Sequence, residues 1–268
     1  MRSFRSVFSR FFGRLFSARF GFLQPLINKA YVSYFKLDLS EFKKASEYES
    51  LQALFTRRLH KPRKLEEGFI SPCDGKVFYS GLSSSLSCCS IKGKTYSLVD
   101  LLGFTPQDNL SYLNIYLSPK DYHNYHSPCN MFVRRLVYFP ADLYSVSFNT
   151  LKSVDNLYSK NERVLLYCEG SLDKDLVNAP KLFSFYMVFV GAFNVGRMAF
   201  DFDKSVQTNA KGALPFTKSY QDLSLEKGAL LGRFELGSTV LLFSKELSFS
   251  AKEDESLRFG QNIGGLNA

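Results

Sequence analysis

Short apolar segments separated by polar turns dominate the chain from residue 68 onward. Each segment is rich in β-branched and aromatic residues and is bounded by turn-forming residues, which is typical of strands. The segments are 76–79, 111–117, 132–139, 164–168, 182–195 and 232–244. Few stretches in this part of the chain have a helical period. The pattern therefore predicts a mostly antiparallel β body.

The first 62 residues follow a helical period instead. Apolar residues recur every three or four positions at Phe4, Phe8, Phe11, Phe12, Leu15 and Phe16, which predicts one apolar helix face. A second apolar piece covers 26–35 after Pro25, and Ser50 is a suitable N-cap for a short helix over 51–59. Dense charge at 61–67 marks a boundary. We therefore expect an α+β protein with a helical region at 1–62 and a β-rich domain at 63–268.

The charge of the chain is concentrated in its N-terminal arm. The net charge is +9, and seven cations precede the first acid, Asp38. They are Arg2, Arg5, Arg10, Arg14, Arg19, Lys29 and Lys36. An apolar helix face with a basic flank favours the surface of an anionic membrane, while packing on the body and a mitochondrial presequence are the alternatives. Cations confined to one arm argue against nucleic-acid binding.

The cysteines point to a reducing compartment. There are five, at 73, 88, 89, 129 and 168, with neither CxxC nor metal-ligand spacing. An odd number without such spacing is typical of free thiols in an intracellular protein. We therefore expect a reduced, cytoplasmic protein without a bound metal.

Candidate catalytic residues lie in two turns. His123 and His126 belong to the stretch 118–128, which Pro119 and Pro128 bracket. Histidine titrates near neutral pH and is the usual proton-transfer residue, although surface or metal-binding histidines remain an alternative. Asp74 lies in a turn before a strand, and an ordinary Asp-Gly turn explains it equally well. In isolation, 161–164 predicts a turn with a surface charge pair.

Ser238 completes the set of candidates. It follows Gly237 inside the apolar run 230–243, where a β-bulge is the plain structural interpretation. A serine, a histidine and an aspartate from separate loops can also form a nucleophile, a base and an orienting group. A serine hydrolase or esterase that uses Ser238, His126 and Asp74 at a membrane surface is thus one candidate, although no Gly-x-Ser-x-Gly elbow is present. A catalytically dead membrane-bound β module is another.

Taken together, these motifs resemble the phosphatidylserine decarboxylases, in particular their short bacterial form. The matching stretches run in the order of the family across almost the whole chain. They are 55–57, 71–75, 117–128, 161–164, 190–192 with 195–196, and 232–240. The basic N-terminal arm is similar to the membrane-binding helices of that form. The sequence departs from the family's pattern at Asn124, Tyr125 and Met131.

The resemblance implies a precursor that cuts itself between Gly237 and Ser238. Asp74, His126 and Ser238 would form the triad for this serinolysis. The Ser238 oxygen attacks the Gly237 carbonyl, elimination releases the Gly237 carboxylate, and hydrolysis of the resulting dehydroalanine releases ammonia and leaves a covalent pyruvoyl group at position 238. The products would be a β chain of residues 1–237 and an α chain of residues 238–268.

The resemblance also implies the substrate and the location. The pyruvoyl group would hold the amine of phosphatidylserine as a Schiff base, and His123 would assist its decarboxylation to phosphatidylethanolamine. The implied setting is peripheral, on the cytoplasmic face of the inner membrane. Both chains would remain in one fold, and a homodimer is compatible with the family.

Overall fold

The computed structural model describes residues 13–84, 87–89, 95–146, 148–173, 176, 181–192, 197–210, 212–235 and 238–267. At 87–89, 148, 149 and 238 it describes the backbone alone. Gly237 and residues 1–12, which carry most of the predicted apolar stripe, lie outside the described residues. Ser238 is therefore located by its backbone.

The helices are short and fall in two groups. Residues 13–17 are helical, and two 3-10 turns cover Gly21–Leu23 and Ala45–Glu47. The longer segments are Gln24–Phe35 (α1), Leu51–Phe55 (α2), Leu98–Leu102 (α3), Phe148–Ser153 (α4) and Leu157–Lys160 (α5). Ser50 caps α2 as expected, because its side chain accepts a hydrogen bond from the Ala53 amide at 3.1 Å. The helix ends at Phe55, four residues before the predicted end.

Strands make up most of the chain after residue 68. They are Phe69–Ile70 (β1), Gly75–Leu82 (β2), Ser87–Cys89 (β3), Thr95–Ser97 (β4), Ser111–Leu117 (β5), Asn124–His126 (β6), Asn130–Phe139 (β7), Arg163–Ser171 (β8), Phe183–Gly191 (β9), Met198–Phe200 (β10), Phe216–Ser219 (β11), Ser224–Leu225 (β12), Leu230–Phe234 (β13), Ser238–Ser244 (β14), Leu247–Phe249 (β15), Ser256–Leu257 (β16) and Asn262–Leu266 (β17). Every pairing between these described strands is antiparallel. The predicted α+β class is confirmed. The domain boundary near residue 62 stays a prediction.

One large sheet carries the core. Its order is β11-β7-β8-β9-β14-β5-β2-β16, with β12 also paired to β7. Strand β14 lies between β5 and β9 and is buried on both faces. Val240 and Leu242 pack into one apolar cluster, whereas Leu241 and Phe243 pack into another on the opposite face. A strand buried on both faces explains the unbroken apolar run in this part of the sequence.

The segment 232–244, predicted as one strand, is two strands in two different sheets. Strand β13 pairs with β6 and β10 in a three-stranded sheet, while β14 enters the large sheet at Ser238. Gly232 is required in β13, because a Cβ atom there would collide with the backbone oxygen of Ala199 on β10. The chain therefore changes sheets at the predicted cleavage site.

Helix α1 packs polar and apolar residues inward and leaves two large side chains exposed. Gln24 and Asn28 are buried, and Asn28 Nδ2 donates to the carbonyls of Ala45 (2.8 Å) and Tyr48 (2.7 Å). Beside them, the partly buried Tyr31, Val32 and Phe35 pack against the cluster that contains Leu54. By contrast, Leu26 is 67% exposed and Tyr34 is 80% exposed. The helix thus has an inward apolar side and also presents apolar residues away from the body.

Candidate active site

Ser238 begins β14 next to the histidine-bearing segment. Its Cα partners are Leu117 on β5 and Gly191 on β9. Leu117 is the last residue of β5, and the segment 118–128 starts directly after it. Strand β13 also meets this segment, because the Phe234 amide donates to the His123 carbonyl at 2.9 Å. The pairing therefore brings the first residue of β14 close to the segment that carries both histidines.

Local hydrogen bonds fold the segment 118–128 into a closed turn. Ser118 donates to the Asp121 carboxylate from its backbone amide at 2.7 Å and from its hydroxyl at 2.6 Å. Burial nevertheless raises the pKa of the Asp121 carboxyl, and the Ser118 hydrogen bonds oppose that shift. The turn leads into β6, where the His126 amide donates to the Pro72 carbonyl at 2.8 Å. The predicted rigidity of this segment has a physical basis in these contacts.

His123 is fully buried and neutral. Its Nδ1 lies 2.8 Å from the Asp121 carbonyl, and because a carbonyl can only accept, Nδ1 carries the proton. Its Nε2 is buried without a hydrogen-bond partner. The Phe55 ring covers the imidazole at a centroid distance of 3.9 Å. Burial lowers the pKa of His123 to about 3, so at neutral pH Nε2 presents a bare lone pair.

His126 has the same protonation pattern with both nitrogens occupied. Its Nδ1 donates to the Gly228 carbonyl at 2.9 Å, and its Nε2 accepts from the Tyr122 hydroxyl at 3.0 Å. The Phe259 ring stacks on the imidazole at a centroid distance of 3.7 Å. Burial lowers the pKa of His126 to about 4, while the nearby charge of Asp74 opposes the shift. His126 is thus a neutral base whose imidazolium Asp74 would stabilise.

Asp74 is held by an arginine. Its carboxylate accepts from Arg63 Nη1 at 2.5 Å, from Arg63 Nη2 at 3.0 Å and from the Phe259 amide at 2.7 Å. Arg63 also binds Glu41, and these two carboxylates raise the pKa of the guanidinium. Among the contacts described here, Asp74 and His126 share no hydrogen bond, and the carbonyl of Gly228 orients the imidazole. The triad of Asp74, His126 and Ser238 therefore stays a prediction.

The segment 161–164 is buried and supports the residue beside Ser238. Asn161 Nδ2 donates to the Gly191 carbonyl at 2.8 Å, and the Gly191 amide donates to the Glu162 carbonyl at 2.8 Å. The Glu162 carboxylate accepts from the Asn209 amide at 2.6 Å and from the Tyr138 hydroxyl. The alternative of a surface charge pair is therefore wrong. Arg163 is buried too, and its guanidinium donates to backbone carbonyls of α3 and α5.

Two surface clefts meet outside this site. One, of about 880 Å³, is lined by Lys76, Tyr116 and Asp254 among others, and the second, of about 350 Å³, by Arg57 and Tyr122. Both include Asp74, Lys120, Asp121 and Arg258. Neither is lined by a histidine. Asp74 thus lines both clefts, whereas His123 and His126 are buried.

Within the residues described, no cluster of side chains suits a metal ion. Over the same part of the chain, none of the helices has the length and hydropathy of a membrane span. Cys73, Cys129 and Cys168 are buried free thiols, and burial raises the pKa of each.

Two buried neutral imidazoles, in the segment that follows the strand partner of Ser238, are the groups expected of a proton-transfer site in a β-sheet protein. The comparisons with known proteins give the family: the chain belongs to the phosphatidylserine decarboxylases, whose family profile matches residues 51–265. A phosphatidylserine decarboxylase proenzyme of Campylobacter jejuni is 47% identical, over 97% of this chain and 99% of the relative. Proenzymes of the same name from Helicobacter pylori (39%, over 100% of both chains) and Shewanella denitrificans (34%, over 98% and 94%) are also similar.

Sequence reasoning missed the partners that orient these groups. Arg63 lies in the charged stretch that marked a boundary, and its spacing from Asp74 gives no sign of their contact. Gly228 acts through a backbone carbonyl, which no residue type reports. Tyr122 belongs to the candidate segment, and its position four residues before His126 was the available signal. Phe259 left no signal in the sequence.

Proposed function

We propose that the chain decarboxylates phosphatidylserine to phosphatidylethanolamine with a pyruvoyl group that it makes from Ser238. The observation that carries this proposal is the position of Ser238 at the first residue of β14, where the chain changes sheets beside the segment with both histidines. The family to which the chain belongs and its proenzyme relatives agree with it. The proposal includes cleavage between Gly237 and Ser238.

A pyruvoyl group fits the residues around position 238. A new N-terminal group there would stay fixed, because β14 is paired along its length with β5 and β9. The bare Nε2 of His123 is a buried polar atom without a hydrogen-bond partner, and so is the hydroxyl of Thr239, the residue after Ser238. When present, the group supplies an electron-withdrawing carbonyl that takes up the electrons of the breaking carbon–carboxylate bond.

His126 is the proposed base for self-cleavage. Its Nδ1 proton is committed to the Gly228 carbonyl, so Nε2 is the atom that takes the Ser238 hydroxyl proton after the Tyr122 hydroxyl gives way. The resulting imidazolium is stabilised by the negative charge of Asp74. Asp74 therefore contributes through its charge, and Arg63 fixes where that charge lies, although the charge of Arg63 itself lowers the pKa of His126.

His123 is the proposed proton carrier in decarboxylation. The carbon that loses carbon dioxide must gain a proton, and the carrier needs a free nitrogen in a dry site. Nε2 of His123 meets both conditions. In this proposal it accepts a proton from the substrate's head group and returns one to that carbon.

The N-terminal region is proposed to dock on an anionic membrane surface. Phe22 is 90% exposed, and together with Leu26 and Tyr34 it forms an apolar surface on and just before α1. Arg14, Arg19 and Lys29 are close in sequence, and cations near an anionic surface strengthen such binding. Phosphatidylserine is itself anionic. We accordingly propose a peripheral enzyme on the cytoplasmic face of the inner membrane; a homodimer is compatible with this arrangement.

Intact mass of the purified protein tests the proposal. The wild type should yield two chains, which co-elute until denaturant separates them. The smaller chain should consist of residues 238–268 with a blocked N-terminus. Ser238→Ala should remain one chain of 30.5 kDa and lose decarboxylase activity. Ser244→Ala is the matched control, since it removes a hydroxyl from the other end of β14 and should still cleave.

The rival functions give different results in this experiment. A single full-length wild-type chain with esterase activity would support the serine hydrolase instead. A single inert chain would support a dead β module. Either result contradicts the proposed decarboxylase.

A further inference from the structure

We propose that Arg57 is a positioning residue that holds His123 with its Nε2 lone pair bare. The inference deepens the proposed function and rests on the role given there to His123. Arg57 follows the end of α2 and lies against the turn 118–128. Its hydrogen bonds go to residues before and after His123 in the chain, and none of them involves His126.

The first contact is a carbonyl shared with His123. Arg57 Nη2 donates to the Asp121 carbonyl at 3.0 Å, and His123 Nδ1 donates to the same oxygen at 2.8 Å. Arg57 Nη2 also donates to the Lys120 carbonyl at 2.6 Å. The guanidinium therefore fixes the direction in which the Asp121 carbonyl points. That direction decides which ring nitrogen of His123 carries the proton.

The second contact joins the backbone of Arg57 to the residue after His123. The backbone carbonyl of Arg57 accepts from Asn124 Nδ2 at 2.8 Å. One residue thus binds the chain at Lys120, at Asp121 and at Asn124, and His123 lies between them. The neighbouring Phe55 covers the His123 ring at a centroid distance of 3.9 Å. The end of α2 and the residue just after it therefore supply both Phe55 and Arg57 to His123.

Arg57 is buried, and only its Nη2 has hydrogen-bond partners. The residue is 2% exposed, and its guanidinium carbon lies 4.7 Å from the centre of the Phe42 ring. Its Nε and Nη1 are buried without partners, so every side-chain hydrogen bond of Arg57 goes to the turn before His123. Burying a cation whose partners are neutral carbonyls costs free energy. Such a cost is unusual for a residue whose only role is packing.

The charge of Arg57 acts in the same direction as its hydrogen bonds. Burial is the larger reason that the pKa of His123 is low, and the nearby guanidinium lowers it further. A neutral ring with Nδ1 bonded to a carbonyl has a single free position, Nε2. Without Arg57 the Asp121 carbonyl is free to turn, and the imidazole loses the partner that selects its tautomer.

Nitrogen NMR of His123 and steady-state kinetics on phosphatidylserine in mixed micelles test the inference. The wild-type processed enzyme should show the Nδ1–H tautomer, with the signal assigned by its loss in His123→Gln. Arg57→Met keeps the length of the side chain and removes every donor. It should give a mixture of tautomers and lower kcat roughly 100-fold, which is the scale of a misplaced catalytic group, with KM within about twofold of the wild type.

Two further variants separate positioning from folding. Arg57→Lys retains a charge and a donor, and its kcat and tautomer ratio should lie between those of the wild type and Arg57→Met. Arg134→Met is the matched control, because Arg134 also donates to a backbone carbonyl, that of Gln221, and lies over an aromatic ring, that of Phe132. It should change neither readout. Self-cleavage should be complete in all of them.

Three results would overturn the inference: an Nε2–H tautomer in the wild type, an unchanged tautomer in Arg57→Met, or an unchanged kcat in that variant. If Arg57→Met does not fold, the wild-type spectrum and Arg57→Lys decide. Failure of the proposed function has a separate signature. Full kcat in His123→Gln would remove His123 from the reaction, whereas the tautomer measurement tests Arg57 by itself.

Discussion

The two histidines are alike in protonation and differ in what their free nitrogen meets. Both donate Nδ1–H to a backbone carbonyl, which leaves Nε2 as the basic atom. In His126 that atom already accepts from the Tyr122 hydroxyl, whereas in His123 it is bare. A base that acts once on the protein's own chain and a base that acts in every turnover would differ in this way.

Burial of both imidazoles makes the stability of the protein sensitive to acid. Their folded pKa values are about 3 and about 4, whereas an unfolded chain titrates near 6.5. Below that pH the unfolded state binds more protons, so the free energy of unfolding falls as pH falls toward 4. Each histidine should contribute a loss of about 2 kcal/mol between pH 7 and pH 5.

Urea denaturation at the two pH values measures this in a Ser238→Ala background, where every variant is a single chain. His123→Gln and His126→Gln should each reduce the loss by about 2 kcal/mol. His60→Gln changes an exposed histidine and should leave it unaltered. An equal loss in all four proteins would show that the buried histidines are not the groups that titrate.

The residues proposed to react could be predicted from the sequence, whereas the groups that orient them could not. His123, His126, Asp74 and Ser238 were recognised because those residue types recur in a known order. The groups that set their protonation are the carbonyls of Asp121 and Gly228 and the side chain of Arg63. A backbone carbonyl has no residue type, and an ion pair across a turn has no fixed spacing.

At the scale of elements, the change of sheet between β13 and β14 is the feature that the sequence did not predict. Both strands are apolar, and both pair antiparallel, so Gly237 and Ser238 indicated a β-bulge within one strand and not a change of sheet. The switch arises from tertiary pairing, since β6 takes one strand and β5 with β9 take the other. Individual strands such as β5 were predicted with their correct ends because turn residues bound them.

The turn at 161–164 should control how well Ser238 is placed. Asn161→Ala removes the amide that bridges Gly191 and the backbone of Tyr144, to which Asn161 also bonds at 2.9 Å. Buried groups left without partners cost about 1–3 kcal/mol each, so the variant should be less stable by about 3 kcal/mol. Self-cleavage should also slow at temperatures where the chain is fully folded.

Asn130→Ala is the matched control for that experiment. Asn130 also uses both ends of its amide, donating to the Asp173 carbonyl and accepting from the Lys227 amide. Its loss should affect stability while leaving the cleavage rate of folded protein unchanged, as followed by gel after synthesis. Equal cleavage rates in the two variants would remove Asn161 from the positioning of Ser238.

At the scale of the whole molecule, the helical region and the β body have different surfaces. Helix α1 places Gln24 and Asn28 inward, where they bond to each other and to the carbonyls of 45–48. Periodicity indicated an apolar helix but neither these buried amides nor the exposure of Leu26 and Tyr34. Phe16, at the end of the predicted apolar stripe, packs against Tyr31 and Phe55. The arm is thereby connected to the residue that covers His123.

Membrane binding should depend on the outward side of this region. Replacing Phe22, Leu26 and Tyr34 by serine removes exposed apolar area and should weaken binding to anionic vesicles by roughly tenfold or more. Serine at Leu82, Leu214 and Leu266, which are also exposed, is the matched control and should have little effect. Vesicle co-sedimentation measures both, and equal binding would contradict a docking role for α1.

The position of β14 has a consequence for when the enzyme becomes active. The strand pairs with β5 and β9, which precede it in the chain by more than a hundred and by about fifty residues. Ser238 reaches the histidine-bearing segment only when those distant strands have already assembled. Maturation would then serve as a quality test: a misfolded copy keeps an intact peptide bond and never acquires its reactive group.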